Sequence, residues 1–93
     1  MPAVTRLGDV CTGHGCYPPR LTVEASTNVF ANGLGIHRKG DQWAPHTCED
    51  THTGVLVGGS STVFVNGKAA GRIGDRVSCG SVSAQGSPSV FIG

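Results

Sequence analysis

The chain has 93 residues, a formal net charge of +1 at pH 7, and 15 glycines with 5 prolines, so it has room for one domain, residues 1–93. Leu, Ile, Val and Phe together number only 21, which predicts a thin core of the kind that disulfides, a metal or a partner usually supplement. Basic residues are scattered, no apolar run reaches the roughly 20 residues that span a bilayer, and the N-terminus lacks the apolar segment of a secretory signal. We therefore expect no nucleic-acid partner, no spanning segment and no signal peptide.

The first recurring motif is Arg-x-Gly-Asp, which occurs at residues 6–9, 38–41 and 72–75. Each copy predicts a turn, because glycine readily takes the required conformation, aspartate accepts backbone N–H groups and arginine can pair with a carboxylate. One residue separates arginine from glycine, so the motif differs from the adhesion tripeptide Arg-Gly-Asp. The motif indicates a structural repeat.

The second recurring motif is a short apolar run, at residues 28–33, 62–67 and 89–93. The first two copies end in Asn-Gly, which is a strong signal for a β-hairpin. Phe30 lies 11 residues before Asp41, and Phe64 lies 11 residues before Asp75, so the spacing between the two motifs also repeats. No stretch of ten residues has helical periodicity free of Gly or Pro. We predict an all-β fold of short β-hairpins with pseudo-threefold internal repeats.

Histidine and cysteine return to equivalent positions of these repeats. His14 and His46 each lie five residues after the aspartate of the first motif, and Cys79 lies four residues after it. His52 and Cys79 each lie 12 residues before the phenylalanine of the second motif. Equivalent positions converge around a pseudo-threefold axis, and three imidazoles with one thiolate form a ligand set that suits a closed, tetrahedral Zn²⁺ site. The sequence predicts one structural zinc held by His14, His46, His52 and Cys79.

The cysteines leave alternatives open. Four cysteines in a chain of this length are also compatible with two disulfides. The repeat alignment places Cys79 opposite histidines rather than opposite another cysteine, which favours the metal. Cys11 and Cys16 receive no role, and Cys48 is the substitute ligand if His46 points elsewhere. His37 has no histidine or cysteine counterpart in the other repeats and is left out of the site.

Over essentially its full length the chain resembles the PAAR-repeat proteins. The resemblance rests on three Gly-Asp motifs, three Val-Phe motifs, Gly13-His14-Gly15 and Ser78-Cys79-Gly80. The Pro-Ala-Ala-Arg signature is degenerate, reading Gly-Ile-His-Arg at 35–38 and Ala-Ala-Gly-Arg at 69–72. The loop at 48–54 reads Cys-Glu-Asp-Thr-His-Thr-Gly, where relatives often have Cys-Pro-x-His-Gly.

This resemblance implies a small β-cone with a metal-pinned point, which sharpens the trimeric β-helical spike of a contractile injection machine. It also implies a zinc site of three histidines and one cysteine near the point, carried over onto His14, His46, His52 and Cys79. We expect a non-enzymatic tip without catalytic residues, which docks on the spike and contacts a target membrane transiently. No toxin domain is expected on this chain, so any effector cargo that it adapts would be a separate protein.

Two locations fit this function: a phage virion, at the tail spike tip, or secretion through a type VI machine. The rival functions are a small zinc hydrolase and a secreted, disulfide-stapled binding module. The hydrolase is disfavoured because His-Glu-x-x-His, Gly-x-Ser-x-Gly and a P-loop are all missing from the sequence.

Overall fold

The computed structural model describes residues 1–93 and consists of short antiparallel strands. The strands form three two-stranded hairpins, β1 with β2, β3 with β4 and β5 with β6. Their bounds are β1 Phe30–Ala31, β2 Leu34–Gly35, β3 His46–Thr47, β4 Thr51–His52, β5 Phe64–Val65 and β6 Lys68–Ala69. None of its segments is a helix long and apolar enough to cross a bilayer. The prediction of an all-β fold built from short hairpins is confirmed.

The β1–β2 and β5–β6 hairpins turn at the two Asn-Gly pairs. Asn32 and Gly33 have φ of 55° and 77°, and Asn66 and Gly67 have φ of 55° and 78°. Positive φ at both central residues defines the tight turn whose twist matches that of the flanking strands. The local sequence therefore specifies these two hairpins.

The third repeat is completed by the N-terminus of the chain. Phe91 pairs antiparallel with Ala3, as Phe30 pairs with Gly35 in β1–β2 and Phe64 pairs with Ala69 in β5–β6. Ala3, Gly35 and Ala69 each lie three residues before the arginine of an Arg-x-Gly-Asp motif. The three repeats thus close into a ring, with the two ends of the chain joined in the last unit.

A cyclic set of backbone hydrogen bonds marks the pseudo-threefold axis. Thr5 N–H donates to Gly71 O at 2.9 Å, Gly71 N–H donates to His37 O at 2.8 Å, and His37 N–H donates to Thr5 O at 3.0 Å. The three residues occupy the same position of the three repeats, immediately before the arginine. A closed ring of donors and acceptors requires three strands to approach one axis, so the internal symmetry is present in the backbone as well as in the sequence.

The Arg-x-Gly-Asp turns repeat the same ion pair. Arg38 donates to Asp41 from its backbone N–H at 3.0 Å, from Nε at 2.8 Å and from Nη2 at 3.0 Å. The other two motifs make the same three bonds. Asp41 is fully buried and is satisfied by this fork, as buried carboxylates must be. The motif is structural, as its sequence indicates.

Two apolar clusters lie at successive levels of an elongated molecule that measures 36 × 23 × 21 Å. The lower cluster contains hairpin residues and the residues two positions before the arginine of each Arg-x-Gly-Asp motif: Val4, Ala31, Ile36, Val65 and Ala70. The upper cluster contains Cys11, Trp43, Leu56 and Val77, with Cys79 packed against it. His37 connects the levels, because its ring meets that of Trp43 edge-on with centroids 4.9 Å apart. The upper cluster leads to the predicted metal ligands.

Candidate metal centre

The four predicted ligands lie together beyond the upper cluster. The ligand atoms of His14, His46, His52 and Cys79 are all within 4.8 Å of one another. The Nε2 atom of His52 is 3.0 Å from that of His14 and 2.7 Å from that of His46. His46 is buried, and the other three are half-buried. Three imidazole nitrogens and one thiol converge on one point, so this group could bind a metal ion.

The β3–β4 hairpin places two of the four side chains. His46 and His52 are direct partners across this antiparallel pair, and directly opposite residues project to the same face of a ladder. The hydroxyls of Thr47 and Thr51 form a 2.8 Å hydrogen bond at the next pair. The loop between the strands lacks an Asn-Gly signal, and the sequence does not predict this hairpin.

Tight turns place His14 and Cys79. His14 and Tyr17 exchange backbone hydrogen bonds of 2.8 and 3.0 Å. The backbone before this turn passes so close to it that a Cβ on Gly13 would overlap the Tyr17 carbonyl oxygen, so only glycine fits there. Cys79 lies within a turn closed by a 3.0 Å bond from Gly80 N–H to Val77 O. Each of these two predicted ligands therefore projects from a short, constrained segment.

The hydrogen bonds and charges of the site suit a cation. Nδ1 of His46 donates to Pro18 O at 2.9 Å, which leaves the lone pair of Nε2 directed into the cluster. Metal-bound histidines commonly donate their other ring N–H to a backbone carbonyl in this way. Burial lowers the pKa of His14, and the nearby imidazoles of His46 and His52 lower it further. Metal binding requires neutral imidazole, so this environment favours the form that can coordinate.

Tyr17 and Asp50 cover the cluster. The Tyr17 ring has its centroid 4.8 Å from that of His14, 5.0 Å from that of His46 and 4.4 Å from that of His52. Its hydroxyl donates to the Asp50 carboxylate, and this bond raises the pKa of Tyr17. The Asp50 carboxylate lies 4.0 Å from Nδ1 of His52. Neither residue is predicted from the sequence to lie at the site, because both lie in loops outside the repeated motifs.

The four cysteines fall into two classes. Cys16 and Cys48 form a disulfide, with Cα atoms 5.9 Å apart, while Cys11 and Cys79 are free. Cys11 lies two residues after its motif aspartate, as Trp43 and Val77 do, and is a core residue. Cys48 is the substitute ligand only if His46 points elsewhere, and that condition does not arise, because His46 points into the cluster and Cys48 is bonded to Cys16. The ligand roles of the four converging residues stay a prediction.

Comparison with known proteins identifies the family. The PAAR motif family model matches residues 8–84 and again residues 51–93. The chain is 32% identical over 81 residues to the NAD(P)(+) glycohydrolase toxin Tse6 of Pseudomonas aeruginosa strain PAO1, covering 78% of this chain and 19% of that protein. It is also 32% identical over 81 residues to the (p)ppApp synthetase toxin Tas1 of Pseudomonas aeruginosa strain UCBPP-PA14, covering 78% of this chain and 18% of that protein. The chain thus spans less than a fifth of the length of these relatives. With both family matches spread over the repeats described above, the chain belongs to the PAAR motif family.

Proposed function

We propose that this chain is a non-enzymatic tip for the trimeric spike of a contractile injection machine. One end holds a structural zinc through His14, His46, His52 and Cys79, and the other end docks on the spike. The observation that carries the proposal is the threefold arrangement of exposed phenylalanines at the end away from the metal centre. Four protein ligands would leave zinc no open position for a substrate, which supports a structural rather than a catalytic metal.

The docking face lies where the hairpins of the second motif meet solvent. Phe30, Phe64 and Phe91 occupy equivalent positions, and their exposed fractions are 57%, 61% and 50%. Large exposed aromatic side chains are unusual on a monomer surface and are enriched in interfaces. Three equivalent patches around one axis are complementary to a partner that itself has threefold symmetry, which supports a trimeric spike end as the partner.

The toxin relatives support a role in delivery. The matched segment is less than a fifth of each relative, so we infer that their named enzymatic activities reside in the remainder of those proteins. On this view the segment shared with our chain is the delivery module, and this chain carries cargo through separate contacts. Passage through a contractile machine, followed by brief contact with the target membrane, would account for its export.

Zinc is tested by elemental analysis of the purified protein, which should find about one zinc per chain. Cys79→Ser removes the only thiolate of the cluster and should abolish zinc retention, with a large loss of thermal stability, because zinc bound to a small domain contributes directly to folding. His37→Gln serves as the matched control, since His37 lies outside the cluster, and it should keep its zinc. A wild-type protein that is folded and metal-free after growth with zinc would contradict the metal assignment.

Docking is tested separately by co-expression with a trimeric spike protein from the same genome. We expect one chain to co-purify with three spike subunits. Size-exclusion chromatography with light scattering measures this ratio. Failure to associate with every spike protein of that genome would contradict the docking role, even if the zinc is present.

A further inference from the structure

Two loops meet over the metal centre. The first, residues 14–17, carries His14 and Tyr17, and the second, residues 47–51, comprises the β3–β4 turn with the strand residue on each side of it and carries Asp50. The loops are joined by the disulfide between Cys16 and Cys48 and by the hydrogen bond between Tyr17 and Asp50. The disulfide is formed by the residue next to Tyr17 and by a residue two positions from Asp50, so the two links act on the same contact.

The two loops form the outer wall of the metal centre. The Tyr17 ring lies against the rings of all three histidines, whereas Cys79 packs against the upper cluster. An ion held among the four side chains would therefore leave by displacing Tyr17, unless the core opened. Displacing Tyr17 requires loop 14–17 to separate from loop 47–51.

The disulfide controls that separation. It links residues 32 positions apart, and apart from Tyr17 and Asp50 the outer loop 47–51 makes only its own hairpin contacts there. Both cysteines are solvent-exposed, so a small thiol can reach them. Without the covalent link, the contact depends on two exposed hydrogen bonds, from the Tyr17 hydroxyl to the Asp50 carboxylate and from Asp50 N–H to the Tyr17 hydroxyl at 3.4 Å, and such surface contacts open readily.

We propose that Cys16–Cys48 is a redox latch on the lid formed by Tyr17 and Asp50, and that its oxidation state sets the rate at which the metal leaves the site. The proposal rests on the zinc site proposed above. With the disulfide intact, the lid is held over the three imidazoles and the metal exchanges slowly. With two thiols in its place, the lid opens and the metal exchanges faster.

The chemistry is thiol–disulfide exchange. Two molecules of a small thiol such as glutathione supply two electrons and two protons: the first thiolate attacks one sulfur to form a mixed disulfide, and the second releases the protein thiol. The Cys16–Cys48 bond is broken, two cysteine thiols form, and the small thiol leaves as its own disulfide. The reverse reaction, with the small-molecule disulfide as oxidant, closes the latch. A reducing compartment would therefore hold the lid open and an oxidising compartment would close it.

The test measures zinc release from the full chain into a chromophoric chelator in excess. One sample is oxidised with glutathione disulfide, and the other is reduced with a water-soluble phosphine, which takes an oxygen atom from water to become the phosphine oxide. Both are desalted under nitrogen before mixing. We expect release to be about 10–100-fold faster from the reduced protein, by analogy with the loss of metal affinity that follows removal of outer-shell contacts.

Two variants separate the latch from general effects. The double variant Cys16→Ser with Cys48→Ser should release zinc as fast as reduced wild type and should not respond to the phosphine. Tyr17→Phe keeps the ring and the disulfide but loses the bond to Asp50, and it should release zinc faster than oxidised wild type. If the double variant fails to fold, reduced wild type and Tyr17→Phe still test the latch.

The outcomes are distinct. Equal release rates from oxidised and reduced wild type would overturn the latch while leaving the zinc site intact. Four free thiols after treatment with glutathione disulfide would overturn it as well, because no disulfide would exist to close the lid. A folded protein that never takes up zinc would instead overturn the proposed metal site itself.

Discussion

At the scale of single residues, position relative to the pseudo-threefold axis decides what each side chain does. Thr5, His37 and Gly71 hold the same place in three repeats, yet one has a hydroxyl, one an imidazole and one no side chain. A Cβ on Gly71 would lie 2.7 Å from a methyl group of Leu56 and 3.0 Å from His37 O. The Leu56 side chain and the His37 backbone thus occupy the space beside Gly71, and a side chain at this position would have no room.

His37 differs from the other histidines in its chemistry as well. It is fully buried, and Nδ1 donates to Glu24 O at 2.7 Å while Nε2 has no partner. Burial lowers the pKa of His37, against the opposing effects of the Glu24 carbonyl and of the Asp41 and Glu24 carboxylates, with Arg38 contributing to the lowering. The structure therefore places His37 in the core as a neutral side chain, outside the metal centre.

The lowered pKa of His37 predicts a pH dependence of stability. Between its folded pKa and the unfolded value of about 6.5, only the unfolded chain binds the proton, so stability falls as pH falls below about 6.5. His37→Gln should reduce this slope, even if it lowers stability at neutral pH. Denaturant titrations of the two zinc-loaded proteins at several pH values measure it, and the metal ligands contribute equally to both. Identical slopes would contradict the prediction.

At the scale of elements, each repeat is held by a buried serine that the sequence analysis did not single out. Ser26, Ser60 and Ser87 lie four residues before the phenylalanines of the second motif. The Ser60 hydroxyl accepts the N–H groups of Thr62 at 3.1 Å and Val63 at 2.9 Å, and the other two serines accept the corresponding pairs. These side chains take up backbone donors that enter the hairpins.

Ser60→Ala should therefore destabilise the fold. It leaves two backbone N–H groups without their acceptor at a buried position, and we expect a loss of about 1–3 kcal/mol in the free energy of unfolding. The adjacent Ser61 is exposed and makes no side-chain hydrogen bond, so Ser61→Ala is a matched control with little expected effect. Chemical denaturation measures both. A loss as large for Ser61→Ala as for Ser60→Ala would refute the assigned role.

The three hairpins also show which local sequence signals are sufficient to predict a hairpin. Two hairpins follow from Asn-Gly pairs because positive φ at adjacent residues is a local requirement that few residue types meet. The β3–β4 hairpin has no such pair; Cys48 N–H donates to Asp50 O at 3.2 Å within its turn, and the Thr47 and Thr51 hydroxyls form a 2.8 Å hydrogen bond across its strands. The serine turns repeat as regularly as the arginine motif, so a search for repeated polar residues would have found them.

At the scale of the whole molecule, ring closure gives the two ends of the molecule different symmetry. Pairing of Ala3 with Phe91 completes the third repeat and makes the three phenylalanines equivalent. The candidate metal centre has no such equivalence, because β3–β4 carries two of the four predicted ligands and the other segments carry one each. A symmetric base suits a trimeric partner, whereas an asymmetric four-ligand site suits a tetrahedral ion.

The proposed docking face predicts that a negative charge placed on it weakens binding to the spike. Phe64→Asp should weaken co-purification with the spike at least about tenfold, as loss of a buried aromatic anchor does in interfaces. Zinc content and thermal stability should stay near wild type, because 61% of Phe64 is exposed. Leu21→Asp is the control: Leu21 is 50% exposed but lies beside the upper cluster, where its carbonyl accepts Ala44 N–H. Equal binding by both variants and wild type would contradict the assigned face.

The sequence by itself determined the all-β class, the repeats, the family and the four residues that converge at the metal centre. These follow from features that are local or that recur at fixed spacing, such as turn residues with positive φ and ligands at constant distance from a motif. Only the tertiary structure decided that Ala3 closes the ring, that Cys48 pairs with Cys16, and that Tyr17 and Asp50 cover the imidazoles. Each of these contacts joins segments far apart along the chain, and the last two have no repeated counterpart, so they depend on the whole path of the backbone between them.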